Sequence, residues 1–167
     1  CLKPEVVYVV NREAEDPVLK NATAILVDHL SSTFPSLQFK TADAIIAKNR
    51  CIVLEISDSD IPGNKEGFTV SGTGNRLILT GKTPRAVLNA VYGFLERVGY
   101  GFCLSVKTVP AVQKKFNFED YNFSDTPLAE DRIIFNWHNF LSGCSAWNIG
   151  EWKEWIDNAS AMRFNTI

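Results

Sequence analysis

The sequence lacks several features that would assign a class of protein at once. Its 167 residues contain no uncharged apolar run near the roughly 20 residues that a membrane-spanning helix needs. Lys and Arg number 17 against 19 Asp and Glu, a formal charge of −2, so the basic excess typical of nucleic-acid binders is missing. With 46% hydrophobic and 22% charged residues, the composition is that of a folded domain. We expect neither a membrane span nor a nucleic-acid partner.

Cysteine and histidine are scarce. The four cysteines lie at positions 1, 51, 103 and 144, with no CxxC motif and no histidine close to any pair. Zinc sites need closely spaced ligand pairs, so we expect no metal ion, and nothing in the sequence predicts a cofactor. Cys51 and Cys103 stand beside apolar residues and are predicted to be buried free thiols, although an oxidising compartment would permit this pair to bond.

Tryptophan is missing from the first 136 residues, and all four tryptophans follow. This asymmetry indicates two unlike parts. In the first part, Asp16-Pro17 begins an amphipathic helix that ends at Pro35, and Thr83-Pro84 begins another that ends at Gly99. The remaining predicted elements are strands at 5–10, 37–39 and 51–56, a short helical segment at 41–48, and a hairpin of residues 68–70 and 77–79. The order predicts an α+β fold, a two-layer α/β sandwich with a mixed sheet and two main helices.

The rest of the chain has a different residue pattern. Residues 106–130 are predicted to be an extended linker whose alternate aromatic side chains lie against a neighbouring surface. After it, a strand from Arg132, a helix at 149–162 and the opening of a strand at 164–167 predict a βαβ unit. Such a unit needs neighbours on both sides to bury its sheet, so we interpret the sequence as a fragment of a longer protein.

One motif is specific enough to suggest a family. Residues 68–102 combine a hairpin ending in Leu77–Gly81 with a helix that carries Tyr92-Gly93 and Leu95-Glu96. This pattern resembles the accessory α/β domain before the catalytic barrel of exo-acting glycoside hydrolases. These are the β-hexosaminidases of family 20, the α-glucuronidases of family 67 and the α-N-acetylglucosaminidases of family 89. Residues 132–136, 151–157 and 162–165 resemble the first strand, first helix and second strand of such a barrel, most closely in family 89.

The resemblance implies a division of the chain and a function. Residues 1–105 would be the accessory sandwich domain, 106–130 the linker, and 131–167 the first βαβ of a truncated (β/α)8 barrel. The chain would then be the non-catalytic N-terminal domain of a secreted or surface-anchored exo-acting glycoside hydrolase, with a glycan substrate bound through the missing barrel. The alternative is a carbohydrate-binding or protein-interaction module without hydrolase activity. A free-standing small enzyme is a third, weaker hypothesis.

No catalytic residue is predicted within the chain. Glycosidases need two carboxyl groups, which a barrel places at the carboxyl ends of later strands, beyond Ile167. Asn136, Trp137 and His138 are the predicted substrate-binding residues, because they stand where the first barrel strand ends. An amide donates to and accepts from sugar hydroxyls, and an indole face stacks on a pyranose ring. His29 is interpreted as a helix-flank residue rather than a ligand.

The first residue suggests a location. A mature N-terminal Cys1 is what bacterial lipoprotein processing leaves, so we expect a lipid anchor and a place in the periplasm or at the cell surface. An arbitrary start of the sequence is the alternative explanation. We also expect the uncovered strand edges and tryptophans of 131–167 to pack against the sandwich, to self-associate with a second copy, or to be poorly ordered.

Overall fold

The structure is a computed structural model that describes residues 4–59, 61–135 and 143–167. Within these ranges the strands are β1 Glu5–Asn11, β2 Leu37–Ala42, β3 Arg50–Ile56, β4 Phe68–Thr73, β5 Arg76–Gly81, β6 Gly101–Phe102, β7 Lys107–Thr108 and β8 Asn122–Asp125. The α-helices are α1 Pro17–Thr33, α2 Pro84–Val98 and α3 Ile149–Ala161. None of these helices is long and apolar enough to cross a membrane.

The centre of the fold is a mixed six-stranded sheet in the order β2-β1-β3-β5-β4-β8. The first four strands in this order are parallel, and β4 is antiparallel to both β5 and β8. Strand β3 is the apolar run that a central parallel strand requires, since Ile52, Val53 and Leu54 are all fully buried. Helices α1 and α2 pack against each other and against one face of the sheet, where the hydrophobic core lies. The predicted mixed α/β fold is confirmed.

Both long helices begin and end where the sequence places them. The Asp16 carboxylate accepts hydrogen bonds from the Val18 and Leu19 amides at 2.8 and 3.0 Å, which caps α1. Thr83 caps α2 by accepting from the Ala86 amide. Gly99 ends α2 with φ of +118°, a left-handed conformation that favours glycine.

The predicted helical segment at 41–48 is wrong. Thr41 and Ala42 instead extend β2, because they pair in parallel register with Val9 and Val10 of β1. The following residues form turns and bends, and the apolar side chains of that segment, Ile45 and Ile46, are 38% and 37% exposed. The pattern had the period of a helix, but the sheet offered better hydrogen-bond partners.

The cysteine predictions are partly corrected. Cys51, Cys103 and Cys144 are free thiols. Cys51 is buried as predicted, whereas Cys103 is exposed, because it lies in the turn of the β6–β7 hairpin with its amide bonded to the Val106 carbonyl.

Residues in the predicted linker pack into the sandwich. Phe116 stacks on Phe34, the residue that ends α1, with ring centroids 4.6 Å apart, and Phe118 is fully buried beneath the Arg50 guanidinium. A few residues later the chain adds β8 to the free edge of β4. The domain boundaries stay a prediction, but residues 116–125 contribute to the same core as the sandwich.

The C-terminal part contains the start of a parallel pairing. Ile133 and Thr166, on either side of α3 in the sequence, form an isolated parallel bridge, and the Ile134 amide donates to the Thr166 carbonyl at 3.0 Å. Helix α3 ends within one residue of its predicted end. Its N-terminus carries a capping box, in which Asn148 and Glu151 each accept from the other's backbone amide.

Candidate functional site

The residues predicted to form the sugar contact lie outside the described part of the chain. Asn136, Trp137 and His138 directly follow residue 135, and Cys1 precedes residue 4. Their roles therefore stay predictions. What the structure describes is the junction immediately before them, where the C-terminal part meets the sandwich.

The junction is organised around a buried carboxylate. Glu66, one position before the glycine that leads into β4, is 5% exposed. It accepts hydrogen bonds from the side-chain amides of Asn89 on α2 at 3.2 Å and Asn165 after α3 at 3.1 Å. It also forms an ion pair with Arg132. The four side chains thus connect the sandwich to both ends of the strand–helix–strand segment, and we call them the Glu66 cluster.

The electrostatics of this cluster keep Glu66 ionised. Burial opposes ionisation, but hydrogen bonds from Asn165 and Arg132, and the positive charge of Arg132, outweigh it and lower the pKa of Glu66 below its ordinary 4.5. A general acid in a glycosidase needs a raised pKa. Glu66 is therefore suited to anchoring a cation, and not to donating a proton.

Arg132 uses its whole guanidinium group at this junction. Besides the ion pair, its Nε donates to the Arg163 carbonyl at 2.6 Å and its Nη1 donates to the Ala129 carbonyl at 2.8 Å. Its own carbonyl accepts from the Asn165 amide at 3.0 Å. A planar group with five donors can satisfy these partners at once, which a lysine could not.

A second charged contact lies on the opposite side of the segment. Arg163 pairs with Glu96 of α2 at 2.5 Å and with Asp125 of β8 at 3.0 Å, and its guanidinium lies 5.6 Å from the Phe68 ring centroid. Its backbone has φ of +66°, a left-handed conformation that costs energy for a residue with a side chain. The Arg163 side chain thus joins the end of α3 to both α2 and β8.

Two carboxylates, Glu66 and Asp131, border a surface cavity beside the junction, but the lowered pKa of Glu66 does not suit a general acid. The cavity has a volume of about 360 Å³ and is also bordered by Arg85 and Asn165, and the Arg85 guanidinium donates to the Phe164 carbonyl at 3.1 Å. Glu154 and Asp157 lie exposed on α3. In the described ranges, no group of three or more His, Cys, Asp and Glu side chains could hold a metal ion.

Sequence reasoning missed the Glu66 cluster as a unit. Glu66 and Arg132 are 66 positions apart, and Arg132 and Asn165 are 33 apart, so spacing alone could not join them. The available signal was that Arg132 and Asn165 both stand in the segments that resemble barrel strands. Nothing in the sequence distinguishes Glu66 from an exposed charged residue such as Lys65 beside it.

Of the comparisons with known proteins, the one with solved structures bears on the fold. No protein-family model matches the chain, and no curated protein matches it. Among solved structures, it is similar to a family GH115 4-O-methyl-alpha-glucuronidase with specificity for decorated arabinogalactans, with a TM-score of 0.69 and 15% identity over 98% of this chain and 25% of that one. It is also similar to a GH138 enzyme targeting pectin rhamnogalacturonan II, with a TM-score of 0.51 and 20% identity over 77% of this chain and 16% of that one.

These similarities define a class of fold. The chain spans a quarter or less of the length of either enzyme. At such identities the likeness establishes a shared architecture, a mixed α/β fold that occurs within glycoside hydrolases.

Proposed function

We propose that the chain is the N-terminal portion of an exo-acting glycoside hydrolase. In this proposal residues 1–105 form an accessory domain, 106–130 connect it, and 131–167 begin a (β/α)8 catalytic barrel. The observation that carries the proposal is the parallel Ile133–Thr166 bridge across α3, because consecutive barrel strands are parallel and joined by a helix. The assignment to the group of families 20, 67 and 89 is part of the proposal.

The Glu66 cluster supports a positioning role for the accessory domain. Its ion pair and amide contacts hold Arg132 and Asn165, which flank the two bridged segments. Catalysis requires substrate contacts held within a fraction of an ångström, so a rigid base under the first barrel strands serves the active site without touching the substrate. In this proposal the sandwich is a non-catalytic support.

The sugar contacts belong to the residues after position 135. In a (β/α)8 barrel the substrate lies at the carboxyl ends of the strands, and Asn136, Trp137 and His138 follow the bridged segment on its carboxyl side. In the full-length enzyme we expect Asn136→Ala and Trp137→Ala to raise KM, while Lys153→Met on the exposed side of α3 leaves KM unchanged. Unchanged KM in both site variants would contradict these roles.

Reading the gene beyond the codon for Ile167 tests the proposed barrel architecture. If the barrel proposal is right, the reading frame continues past Ile167 for about 200 or more residues with alternating strands and helices. A stop codon at that point would contradict it and favour a binding or interaction module.

Activity measurements test the non-catalytic role. The 167-residue chain alone should not hydrolyse aryl glycosides, whereas the full gene product should. Turnover by the chain alone, abolished by a point substitution within it, would show that catalytic groups lie inside these residues.

The location is proposed from Cys1. When the gene is expressed with its own leader, we expect the protein in the membrane fraction through a lipid anchor, and Cys1→Ala to release it into the soluble fraction. Cys103→Ala serves as the control, since Cys103 is an exposed free cysteine in the described part of the chain. Soluble cytoplasmic protein with residues still present ahead of Cys1 would exclude the anchor.

A further inference from the structure

A cleft on the helical side of the molecule is separate from the Glu66 cluster. It has a volume of about 200 Å³ and lies between α1, α2, α3 and the β6–β7 hairpin. Pockets for drug-sized ligands span roughly 300–1,000 Å³, so this one suits a smaller molecule, about one sugar ring in size. All of its lining residues belong to the described chain.

One end of the cleft presents a cation. The His29 Nδ1 lies 2.8 Å from the Ile25 carbonyl, so Nδ1 carries the proton that it donates and Nε2 is free to accept from the Lys107 ammonium at 3.3 Å. Burial, partly opposed by the bond to Ile25 and reinforced by the Lys107 charge, lowers the pKa of His29, which keeps the imidazole neutral. Lys107 is exposed, and its ammonium retains two further N–H groups for a ligand.

The other end presents an unused donor beside an acceptor. Tyr92 on α2 is 5% exposed as a residue, and its hydroxyl forms no hydrogen bond with a described residue. The hydroxyl oxygen itself is accessible from the cleft, where it can donate to a ligand. Burial and the negative charge of Asp157 raise the pKa of Tyr92 to about 12, so the hydroxyl stays protonated. Asp157 forms no ion pair with any described residue.

The rest of the lining combines apolar and polar side chains. Phe102 meets Tyr92 edge to face with ring centroids 5.2 Å apart, Ile25 and Ala161 add apolar surface, and Asn21 and Asn158 add side-chain amides. Sugar rings have one apolar face of C–H groups and a rim of hydroxyls. The cleft offers partners for both, because aromatic and apolar side chains line it beside polar groups.

We propose that this cleft binds a single hexuronic acid residue, with the sugar carboxylate on Lys107 and its hydroxyls on Tyr92 and Asp157. The polarity of the cleft sets the orientation, because Asp157 repels an anion at its own end and Lys107 attracts one at the other. The proposed site lies where α3 meets the sandwich, since Lys107 and Tyr92 belong to the sandwich side and Asp157 to α3.

An NMR titration of the ¹⁵N-labelled chain tests it, with sodium glucuronate as the probe and glucose as the neutral comparison. Glucuronate should shift the amides around Tyr92, Lys107 and Asp157 with a Kd on the order of 1–10 mM, the range for a ligand this small. Glucose should bind several-fold more weakly, because it lacks the carboxylate.

Variants separate the roles of the two ends. Lys107→Met should reduce glucuronate affinity to that of glucose, and Tyr92→Phe should weaken both sugars by about 3- to 10-fold. Lys153→Met removes an exposed lysine of α3 away from the cleft and should change neither. The amide spectrum outside the cleft reports whether each variant is folded. The proposal is overturned if glucuronate leaves the cleft amides unshifted, if both sugars bind wild type equally, or if Lys107→Met binds glucuronate like wild type.

Discussion

Glu66 shows how a residue can be buried and charged without being catalytic. A buried ion pair contributes little net stability compared with an apolar pair of the same shape, since both ions lose their water. Removing one member is costly, because the other is left buried and uncompensated. Glu66 and Arg132 have side chains only 7% and 17% exposed, so this asymmetry applies to them.

We predict that Glu66→Gln lowers the free energy of unfolding by about 3 kcal/mol, because the mostly buried guanidinium of Arg132 loses its counter-ion. Urea denaturation followed by circular dichroism measures the change. Glu15→Gln is the matched control: Glu15 pairs with Lys20 at 3.4 Å but is 98% exposed, so its loss should cost under about 1 kcal/mol. Equal losses for the two variants would contradict the assigned role of Glu66.

The same pair predicts a pH dependence. The folded-state pKa of Glu66 lies below its ordinary 4.5, so the stabilisation is fully present above about pH 4.5 and is lost as pH falls through the lower folded value. The difference in unfolding free energy between wild type and Glu66→Gln should therefore be largest near neutral pH and shrink toward pH 3. Denaturation curves at several pH values measure this difference. A gap that stays constant down to pH 3 would show that ionisation of Glu66 does not matter.

At the scale of elements, residues 118–125 pack against strand β4 of the β4–β5 hairpin. Gly72 of β4 lies directly under the 3₁₀ turn Phe118–Asp120, and a Cβ at Gly72 would come 1.7 Å from the Phe118 carbonyl oxygen. The Asn122 side chain also bridges both backbone groups of Gly72, at 3.0 and 3.2 Å. The absence of a side chain at Gly72 therefore permits residues 116–125 to close over the sheet.

We predict that Gly72→Ala destabilises the protein by about 3 kcal/mol, since the contact is with backbone that cannot rotate away. Gly74, two residues along in the turn, provides the comparison. It has φ of +50° but open space around the position of a Cβ, so Gly74→Ala should cost only about 1 kcal/mol of backbone strain. Thermal or urea unfolding of both variants gives the two values, and a Gly72→Ala cost no larger than that of Gly74→Ala would refute the close packing.

At the scale of the whole molecule, the sandwich and the C-terminal part differ in the number of backbone hydrogen bonds and buried contacts that hold them. In the sandwich, the central strands pair along their length through backbone hydrogen bonds. They contain fully buried residues such as Val9 of β1 and Ile52 of β3. The described residues of the C-terminal part contain one bridge, at Ile133, which is itself 62% exposed, and side chains such as Arg132 and Arg163 attach this part to the sandwich.

Hydrogen exchange should resolve this difference. We expect the amides of β1, β3 and β5 to exchange slowest, at the rate of global unfolding, and the Ile134 amide to exchange faster through local opening. Glu66→Gln should accelerate exchange at Ile134 more than at Ile52, because it loosens the attachment of the C-terminal part. Equal protection of both regions in a monomer would argue that residues 131–167 are an integral layer of the sandwich.

The sequence by itself determined the local elements of this protein. Capping signals at Asp16 and Thr83, and the glycine stop at Gly99, fix helix ends through hydrogen bonds within a few residues, so they can be recognised without the fold. The same holds for the buried run of β3 and for the hairpin. The motif at 68–102 also led to the glycoside-hydrolase-like architecture that the solved structures share.

Only the tertiary structure decided what is assembled from distant segments. Thr41 and Ala42 belong to a strand because β1 lies beside them. Residues 116–118 pack into the core because Gly72, directly beneath the Phe118 carbonyl, has no side chain. The Glu66 cluster brings together positions up to 99 residues apart. The cleft at Lys107 likewise needs three helices and a hairpin in place. Such contacts form only when distant elements pack together and bury the interacting groups. No local pattern in the sequence predicts them, because the partners are far apart along the chain.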